Sequence, residues 1–196
     1  MAERGQTIVG VLSDTHGLMR DEVLASLRGC HLIVHAGDIG GPEILGMLND
    51  IAPVTAVRGN NDTAPWAGSL QETAILQVQQ VRIAVVHDLA RLRIDPRTTD
   101  PRTTDPRNQG CRVVVSGHSH KPGIEERDGV MFLNPGSAGP RRFKLPIAWG
   151  LLTVQGPVAM ARIVSLDGSL ELRGGGQLVE DGADRSAQQR RHPEEP

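Results

Sequence analysis

The feature that most constrains this chain is an aliphatic run that ends in a carboxylate. Leu32, Ile33 and Val34 are consecutive, and His35 follows them directly, with Gly37-Asp38 soon after. Three aliphatic residues in a row are typical of a buried strand in a parallel sheet. Open α/β sheets place their ligand-binding groups at the C-terminal ends of such strands. We therefore predict that Asp38 lies at the centre of the functional site.

The same pattern recurs along the chain, because other aliphatic runs also end in polar residues. The polar residues that follow the other aliphatic runs are Asp14/His16, Asn60/Asn61/Asp62, His87 and His118/His120. Helical spacing over residues 20–27 and 42–49 separates the first three runs, which predicts a β-α-β-α-β unit with parallel strands. From residue 69 onward, short strands alternate with Gly and Pro turns. This order indicates two sheets packed face to face, with helices outside.

The length of 196 residues predicts one domain, which we place at residues 1–173. Residues 174–196 are Gly-rich and then polar, a composition that predicts a disordered tail. Residues 95–107 repeat the pentapeptide DPRTT, and its prolines exclude a continuous helix. We expect a surface excursion there. A neutral duplication in a tolerant loop and a position beside the site both remain open.

Charge and composition exclude several functions. A net charge of −2 provides no basic field for DNA or RNA, and 2% aromatic residues provide no stacking platform for bases. The apolar runs are too short to span a bilayer, and the first residues lack the pattern of a signal peptide. We therefore expect a cytoplasmic protein that binds neither nucleic acid nor membranes, with an oligomeric state that the sequence leaves undecided.

The polar clusters form a set of metal-binding donors. Carboxylates, imidazoles and an amide oxygen suit Mn, Fe, Co, Ni or Zn, and no cysteine belongs to any cluster. Two neighbouring divalent ions need a bridging anion, and the two oxygens of Asp38 can supply it. Gly37, Gly59 and Gly117 precede the clusters, so we expect the backbone to turn sharply and approach closely there.

These blocks resemble the calcineurin-like metallophosphoesterases, and most closely their small bacterial and archaeal phosphodiesterase branch, the YfcE-like proteins. The retromer phosphoesterase-like subunit is also related to that branch. The resemblance extends from about Ile8 to about Val164 and rests on SDTHG, HAGDIGG, VRGNND, SGHSHKP and LNPGS. It implies an α/β fold, a four-layer αββα sandwich of two mixed β-sheets, with a dinuclear site at the strand ends. The implied cofactors are two divalent metal ions, with Mn²⁺ favoured and Ni²⁺, Co²⁺, Zn²⁺ or Fe²⁺ as alternatives.

Carried over block by block, the resemblance implies a ligand set for each ion and an attacking hydroxide that bridges them. The first ion is assigned Asp14, His16, Asp38 and His120, and the second Asp38, Asn60, His87 and His118. Many family members have a histidine acid where this chain has Asn61, which cannot serve as a proton donor of suitable pKa. Asp88 and Leu89 after His87 also depart from the usual pattern.

Four residues near the ligands receive roles that the sequence leaves open. Asn61 and Asp62 are candidate catalytic residues, although Asp62 could instead orient a ligand or cap a turn. Arg58 is a candidate substrate-binding residue, because guanidinium groups suit phosphate, but an ion pair with a nearby acid explains it equally well. His35 matches no ligand block, and we expect it to be a packed histidine that supports the ligands.

The expected function is therefore metal-dependent hydrolysis of a small phosphate ester, most closely that of a phosphodiesterase. The first alternative is a catalytically weak scaffold or interaction protein of the same fold. The second alternative, within enzymes, is a nucleotide phosphomonoesterase. The ligand set discriminates between enzyme and scaffold, because loss of a single site histidine would favour a scaffold and none is lost here.

Overall fold

The computed structural model describes residues 5–92 and 110–176, in which eleven strands form two mixed sheets. In chain order the strands are β1 (Thr7–Leu12), β2 (Leu32–His35), β3 (Val54–Ala56), β4 (Thr73–Val78), β5 (Val81–Val86), β6 (Cys111–Val115), β7 (Gly123–Arg127), β8 (Val130–Asn134), β9 (Ala148–Gln155), β10 (Val158–Ser165) and β11 (Glu171–Gly176). The prediction of two mixed sheets is confirmed.

Two short α-helices connect the first three strands. Helix α1 spans Asp21–Leu27, and helix α2 spans Pro42–Asn49. Pro42 occupies the first turn of α2, where its missing N–H has no intrahelical partner to lose. At seven and eight residues, these helices are far shorter than a bilayer crossing requires, and no other α-helix occurs in the described residues.

The sheet topology places parallel strands side by side in both sheets. The first sheet has the order β11-β10-β9-β1-β2-β3, with β1, β2 and β3 parallel. The second has the order β4-β5-β6-β8-β7, with β5, β6 and β8 parallel. The remaining pairings are antiparallel. The predicted β-α-β-α-β unit is thus confirmed as β1-α1-β2-α2-β3.

Apolar side chains divide into clusters that define the layers. Between the two sheets, Val11 and Val34 of the first pack in one cluster with Val85 and Val115 of the second. A second cluster packs the opposite face of the first sheet against both helices, including Leu27 of α1 and Leu48 of α2 among others. Alternate side chains of one strand therefore pack into two different apolar clusters, so the first sheet is packed on both of its faces.

Two boundaries differ from the sequence expectation. Ser69 belongs to a 3₁₀ turn, Pro65–Ser69, and β4 begins only at Thr73. The last strand extends to Gly176, three residues beyond the predicted domain end at 173, because Gly174 to Gly176 pair with β10 through their backbones. Backbone pairing needs no apolar side chain, so composition gave no signal for it. The repeat at 95–107 and residues 177–196 lie outside the described residues.

Candidate metal centre

All seven predicted ligands follow the C-terminal ends of parallel strands. In the first sheet, β1 precedes Asp14 and His16, β2 precedes Asp38, and β3 precedes Asn60. In the second sheet, β5 ends directly before His87, and β6 ends shortly before His118 and His120. The packing of the two sheets against each other brings these strand ends to one edge of the sandwich.

Asp14, His16 and His120 form the first group of donors. His120 Nε2 lies 3.2 Å from Asp14 Oδ1 and 3.3 Å from His16 Nε2. His16 Nε2 lies 3.9 Å from Asp14 Oδ1, and the two imidazole rings stack with centroids 5.2 Å apart. Two ring nitrogens and a carboxylate oxygen therefore face one another around a single point, and they belong to three of the four residues predicted for the first ion.

Asp38 lies between this group and the second one. Its Oδ2 is 3.9 Å from His16 Nε2, and its Oδ1 is 3.4 Å from His87 Nε2. Asn60 Oδ1 is in turn 3.0 Å from both His87 Nε2 and His118 Nδ1. The two oxygens of one carboxylate thus face donors on opposite sides, as a bridging ligand requires.

The hydrogen bonds of Asp14 leave one of its oxygens directed into the site. Asp14 Oδ2 accepts from Ser13 Oγ at 2.7 Å and from the His118 backbone N–H at 3.1 Å. Asp14 Oδ1 is buried and accepts no well-aligned hydrogen bond from the described residues, although His120 Nε2 is close. A buried carboxylate oxygen without a donor is costly, and a cation would satisfy it. The donor set therefore fits a divalent metal.

The protonation states of the first group also fit a metal. Burial lowers the pKa of His120 to about 4, with His16 adding to the effect, and burial likewise lowers the pKa of His16. Both imidazoles are therefore neutral near pH 7 and have lone pairs to offer. Burial raises the pKa of Asp14 to about 6, and an adjacent cation would favour its ionised form.

The second group contains a firmly ionised carboxylate. Burial acts to raise the pKa of Asp38, but hydrogen bonds from His87 and Asn61 outweigh it and hold that pKa well below its usual range. The balance is the opposite for His87. Burial acts to lower its pKa, but its contact with Asp38 outweighs burial and raises that pKa. His87 Nδ1 lies 2.7 Å from the Ala36 carbonyl, so this nitrogen carries the proton and Nε2 faces the site.

Two glycines permit the close approach of the ligand loops. A Cβ on Gly59 would lie 2.1 Å from both the backbone N and Oδ1 of Asp38. A Cβ on Gly117 would lie 1.7 Å from Ser13 Oγ and 2.8 Å from Asp14 Oδ2. Gly37 adds a φ of +89°, which an L side chain rarely adopts. The expected role of these glycines is confirmed.

Five of the ligands have a left-handed backbone. Of the eight non-Gly residues with positive φ in the described chain, five are ligands, namely Asp14, His16, Asp38, His118 and His120. Such conformations cost on the order of 1–3 kcal/mol each and cluster at functional sites. This strain could not be predicted from residue type, because none of these residues is glycine.

The structure assigns different positions to the three remaining candidates. Asn61 is exposed at the site, and both its backbone N–H and its side-chain amide donate to Asp38, at 2.8 and 2.6 Å. Asp62 is buried, and its carboxylate accepts from the backbone N–H groups of Ile39, Gly40 and Gly59. Both oxygens of Asp62 are therefore engaged by backbone donors, which favours the alternative of an orienting or capping role over a catalytic one.

Arg58 lines a cleft beside the second ligand group and also forms the ion pair that was its alternative explanation. Its Nη2 lies 2.9 Å from Glu72 Oε1. The same cleft includes Asn60, His87 and His118. Arg58 is thus near the ligands without contacting any of the metal-facing atoms.

Sequence reasoning left out several supporting contacts. His35 is fully buried, as expected of a packed histidine, and its Nε2 lies 2.9 Å from Thr15 Oγ1 while its Nδ1 accepts from the Gly37 N–H. Ser137 Oγ donates to the Asp14 carbonyl at 2.8 Å. The adjacency of Ser13, Thr15 and His35 to the motif residues was the only available signal for these roles.

Comparison with known proteins gives a family match over most of the chain. The family model described as "Calcineurin-like phosphoesterase superfamily domain" matches residues 8–156. A protein from Methanothermobacter thermautotrophicus named "Probable metallophosphoesterase" is 31% identical over 162 residues, which cover 80% of this chain and 91% of that protein. Residues 8–156, which the family model matches, include every predicted ligand from Asp14 to His120.

Solved structures show the same fold at lower identity. Vacuolar Protein Sorting 29 from Cryptosporidium parvum superposes with a TM-score of 0.71 and 22% identity, covering 88% of this chain and 97% of that one. Yfce, a phosphoesterase from E. coli, superposes with a TM-score of 0.58 and 22% identity, covering 85% of this chain and 98% of that one. The fold is therefore shared by a protein-sorting component and a phosphoesterase.

Proposed function

Because the chain belongs to the calcineurin-like phosphoesterase superfamily, we propose that it is a dinuclear phosphodiesterase that hydrolyses a small phosphate ester. The observation that carries the proposal is the position of Asp38. Its two oxygens face His16 on one side and His87 on the other, so one carboxylate can serve two ions. The full donor set around it supports catalysis over a purely structural use of the fold.

Asp14, His16, Asp38 and His120 would hold one ion, and Asp38, Asn60, His87 and His118 the other. Their nitrogen and oxygen donors suit borderline-hard divalent metals such as Mn²⁺. When bound, such ions supply a water of lowered pKa as nucleophile and neutralise charge on the phosphate. The protein holds the donors in place: Ser13 and the His118 N–H fix Asp14, and the Ala36 carbonyl fixes His87.

Asn61 bears on which leaving groups this site can expel. An amide has no proton to transfer to a departing alkoxide at neutral pH, and the Asn61 amide is engaged with Asp38 Oδ2. Either the leaving group needs no general acid, or another residue or water supplies the proton. An activated diester and an activated monoester both meet the first condition, so the diester preference rests on the resemblance of the motifs to the phosphodiesterase branch.

The test is hydrolysis of bis(p-nitrophenyl) phosphate against p-nitrophenyl phosphate, first with chelator and then with Mn²⁺, Ni²⁺, Co²⁺ or Zn²⁺ restored. We expect the diester to be cleaved faster and only with metal present. Activity that survives chelation would contradict a metal-dependent mechanism. A metal-loaded protein with no activity on either ester would instead favour the scaffold function that the Vacuolar Protein Sorting 29 likeness suggests.

The bridging role of Asp38 has its own test in Asp38→Asn. We expect this variant to lose activity and to bind both ions more weakly, because one amide cannot offer two anionic oxygens. The matched control is Glu126→Gln, the same chemical change on an exposed side chain of β7. Metal content measured after dialysis decides the question, since loss of one ion alone would contradict the shared ligand.

A further inference from the structure

A cleft with an empty volume of about 510 Å³ opens beside the second ligand group. Asn60, His87 and His118 form part of its wall, and Arg58, Glu72 and Arg91 form another part. A molecule with a phosphate at the metal ligands would therefore extend along the arginine side of the cleft.

Arg58 is held at this cleft from both ends. Its backbone N–H donates to the Gln71 carbonyl at 2.8 Å, directly after β3, and it lies two residues before the ligand Asn60. Its guanidinium donates to Glu72 Oε1 at 2.9 Å. A guanidinium has five N–H donors, so this single contact leaves most of them available to a ligand.

Arg91 approaches the same glutamate from the second sheet. It ends the 3₁₀ turn Leu89–Arg91, which Asp88 caps by accepting from the Ala90 N–H at 2.9 Å. Arg91 Nη1 lies 4.0 Å from Glu72 Oε1. Glu72 therefore sits between two guanidinium groups and neutralises one of them.

The guanidinium groups of this cluster suit a second anion. Two arginines line the cleft together with two carboxylates, Glu72 and Asp88, and Asp88 is already engaged by the Ala90 N–H. The side chains of Glu72 and Arg91 are more than half exposed, so their ion pair is weak and can rearrange. Guanidinium groups bind phosphate through paired, charge-assisted hydrogen bonds, and neither arginine is needed to hold a core together.

We propose that Arg58 and Arg91 form an anion subsite, and that the substrate is a phosphodiester carrying a second phosphate group. This inference rests on the proposed function, because the scissile phosphate is assigned to the metal ligands. Glu72 keeps both guanidinium groups at the cleft wall in the free protein and releases them to the incoming phosphate. The subsite thus selects doubly phosphorylated esters over singly phosphorylated ones.

The test uses two chromogenic esters that differ by one phosphate. These are the p-nitrophenyl ester of thymidine 5′-phosphate and the same ester with a 3′-phosphate, both read as released p-nitrophenolate. We expect a kcat/KM ratio of about tenfold or more in favour of the 3′-phosphorylated ester, as one charge-assisted contact would give. The preference should shrink as salt is raised, because both arginines are solvent-accessible.

Three variants test whether the preference for the 3′-phosphorylated ester depends on the arginine side of the cleft. Arg91→Gln should bring the ratio close to one, and Arg91→Lys should leave an intermediate ratio, because lysine keeps the charge without the planar fork. Arg162→Gln is the control, since Arg162 pairs with Glu171 on β10 and β11 and does not line the cleft. It should leave the ratio unchanged.

The outcomes distinguish failure of the anion subsite from failure of the proposed phosphodiesterase function on which it rests. Cleavage of both esters with equal kcat/KM, or a preference that survives Arg91→Gln, would overturn the anion subsite and leave the phosphodiesterase intact. Cleavage of neither ester would count against the phosphodiesterase. The subsite would then be judged by calorimetric binding alone, where thymidine 3′,5′-bisphosphate should bind more tightly than thymidine 5′-phosphate and lose that advantage in Arg91→Gln.

Discussion

Replacing Gly59 with alanine would test how closely activity depends on the position of Asp38. The added Cβ would lie 2.1 Å from Asp38 N and Oδ1, whereas real Cβ contacts essentially never fall below 3.0 Å. The obstruction is partly backbone, so Asp38 must retreat by about 1 Å. Misplacement of this size costs about 100-fold in rate, and overpacking costs about 1–3 kcal/mol of stability. A domain of ordinary stability survives that loss and remains folded.

The assay is kcat/KM on bis(p-nitrophenyl) phosphate at saturating Mn²⁺, together with metal content and thermal unfolding. Gly68→Ala is the matched control, because a Cβ there meets no atom within 4 Å. We expect Gly59→Ala to fold, to lose about two orders of magnitude in kcat/KM and to hold less metal, while Gly68→Ala behaves as wild type. A Gly59→Ala protein with full metal content and a rate within threefold of wild type would refute the reasoning, because Asp38 would then tolerate the displacement.

Two further predictions concern the residues that support the ligands. Asp62→Asn should lower the free energy of unfolding by about 2 kcal/mol, because one of three backbone donors loses its anionic acceptor, and urea titration measures it. His35→Gln should flatten the pH dependence of stability. Burial lowers the pKa of His35 to about 4 from 6.5, so the unfolded chain binds more protons between these values and wild-type stability falls by about 3 kcal/mol as the pH drops through them. Urea titrations of the metal-free proteins from pH 4.5 to 7 would contradict this if both showed the same slope.

The elements near the N-terminus were predictable because their signals are local. Aliphatic runs separated by helical spacing give β1-α1-β2-α2-β3, and α2 begins at Pro42 and ends at Asn49 as its sequence indicates. The sheet order was not predictable to the same degree. Strand β9 pairs with β1 across more than 130 residues, a contact that no local pattern encodes. The same holds for the glycines at the end of β11, which pair through backbone alone.

The candidate site was likewise predictable from the sequence only in part. The ligands could be identified from motifs, because donor residues at strand ends are visible in the sequence. The proximity of Arg58, Glu72 and Arg91 could not, since it depends on β3 of one sheet and the turn after β5 of the other meeting at the cleft. Asp62 illustrates that residue type and position in a motif do not by themselves establish a catalytic role. A carboxylate beside a ligand suggests chemistry, but its hydrogen bonds to three backbone N–H groups show a structural use.

The backbone strain at the ligands supports metal binding at this site. Left-handed conformations at Asp14, His16 and Asp38 are held by hydrogen bonds between loops, such as Asp14 N–H to the Gly37 carbonyl at 3.0 Å and His16 N–H to the Asp38 carbonyl at 2.9 Å. Each loop therefore fixes the ligand of its neighbour. At on the order of 1–3 kcal/mol per residue, the strain at the ligands together is comparable with the whole stability of a typical domain. A sandwich that served only as a docking surface would be more stable with glycine or a relaxed backbone at these positions, and the chain instead retains metal-binding side chains there. The strain fits a site that directs these donor atoms at bound metal.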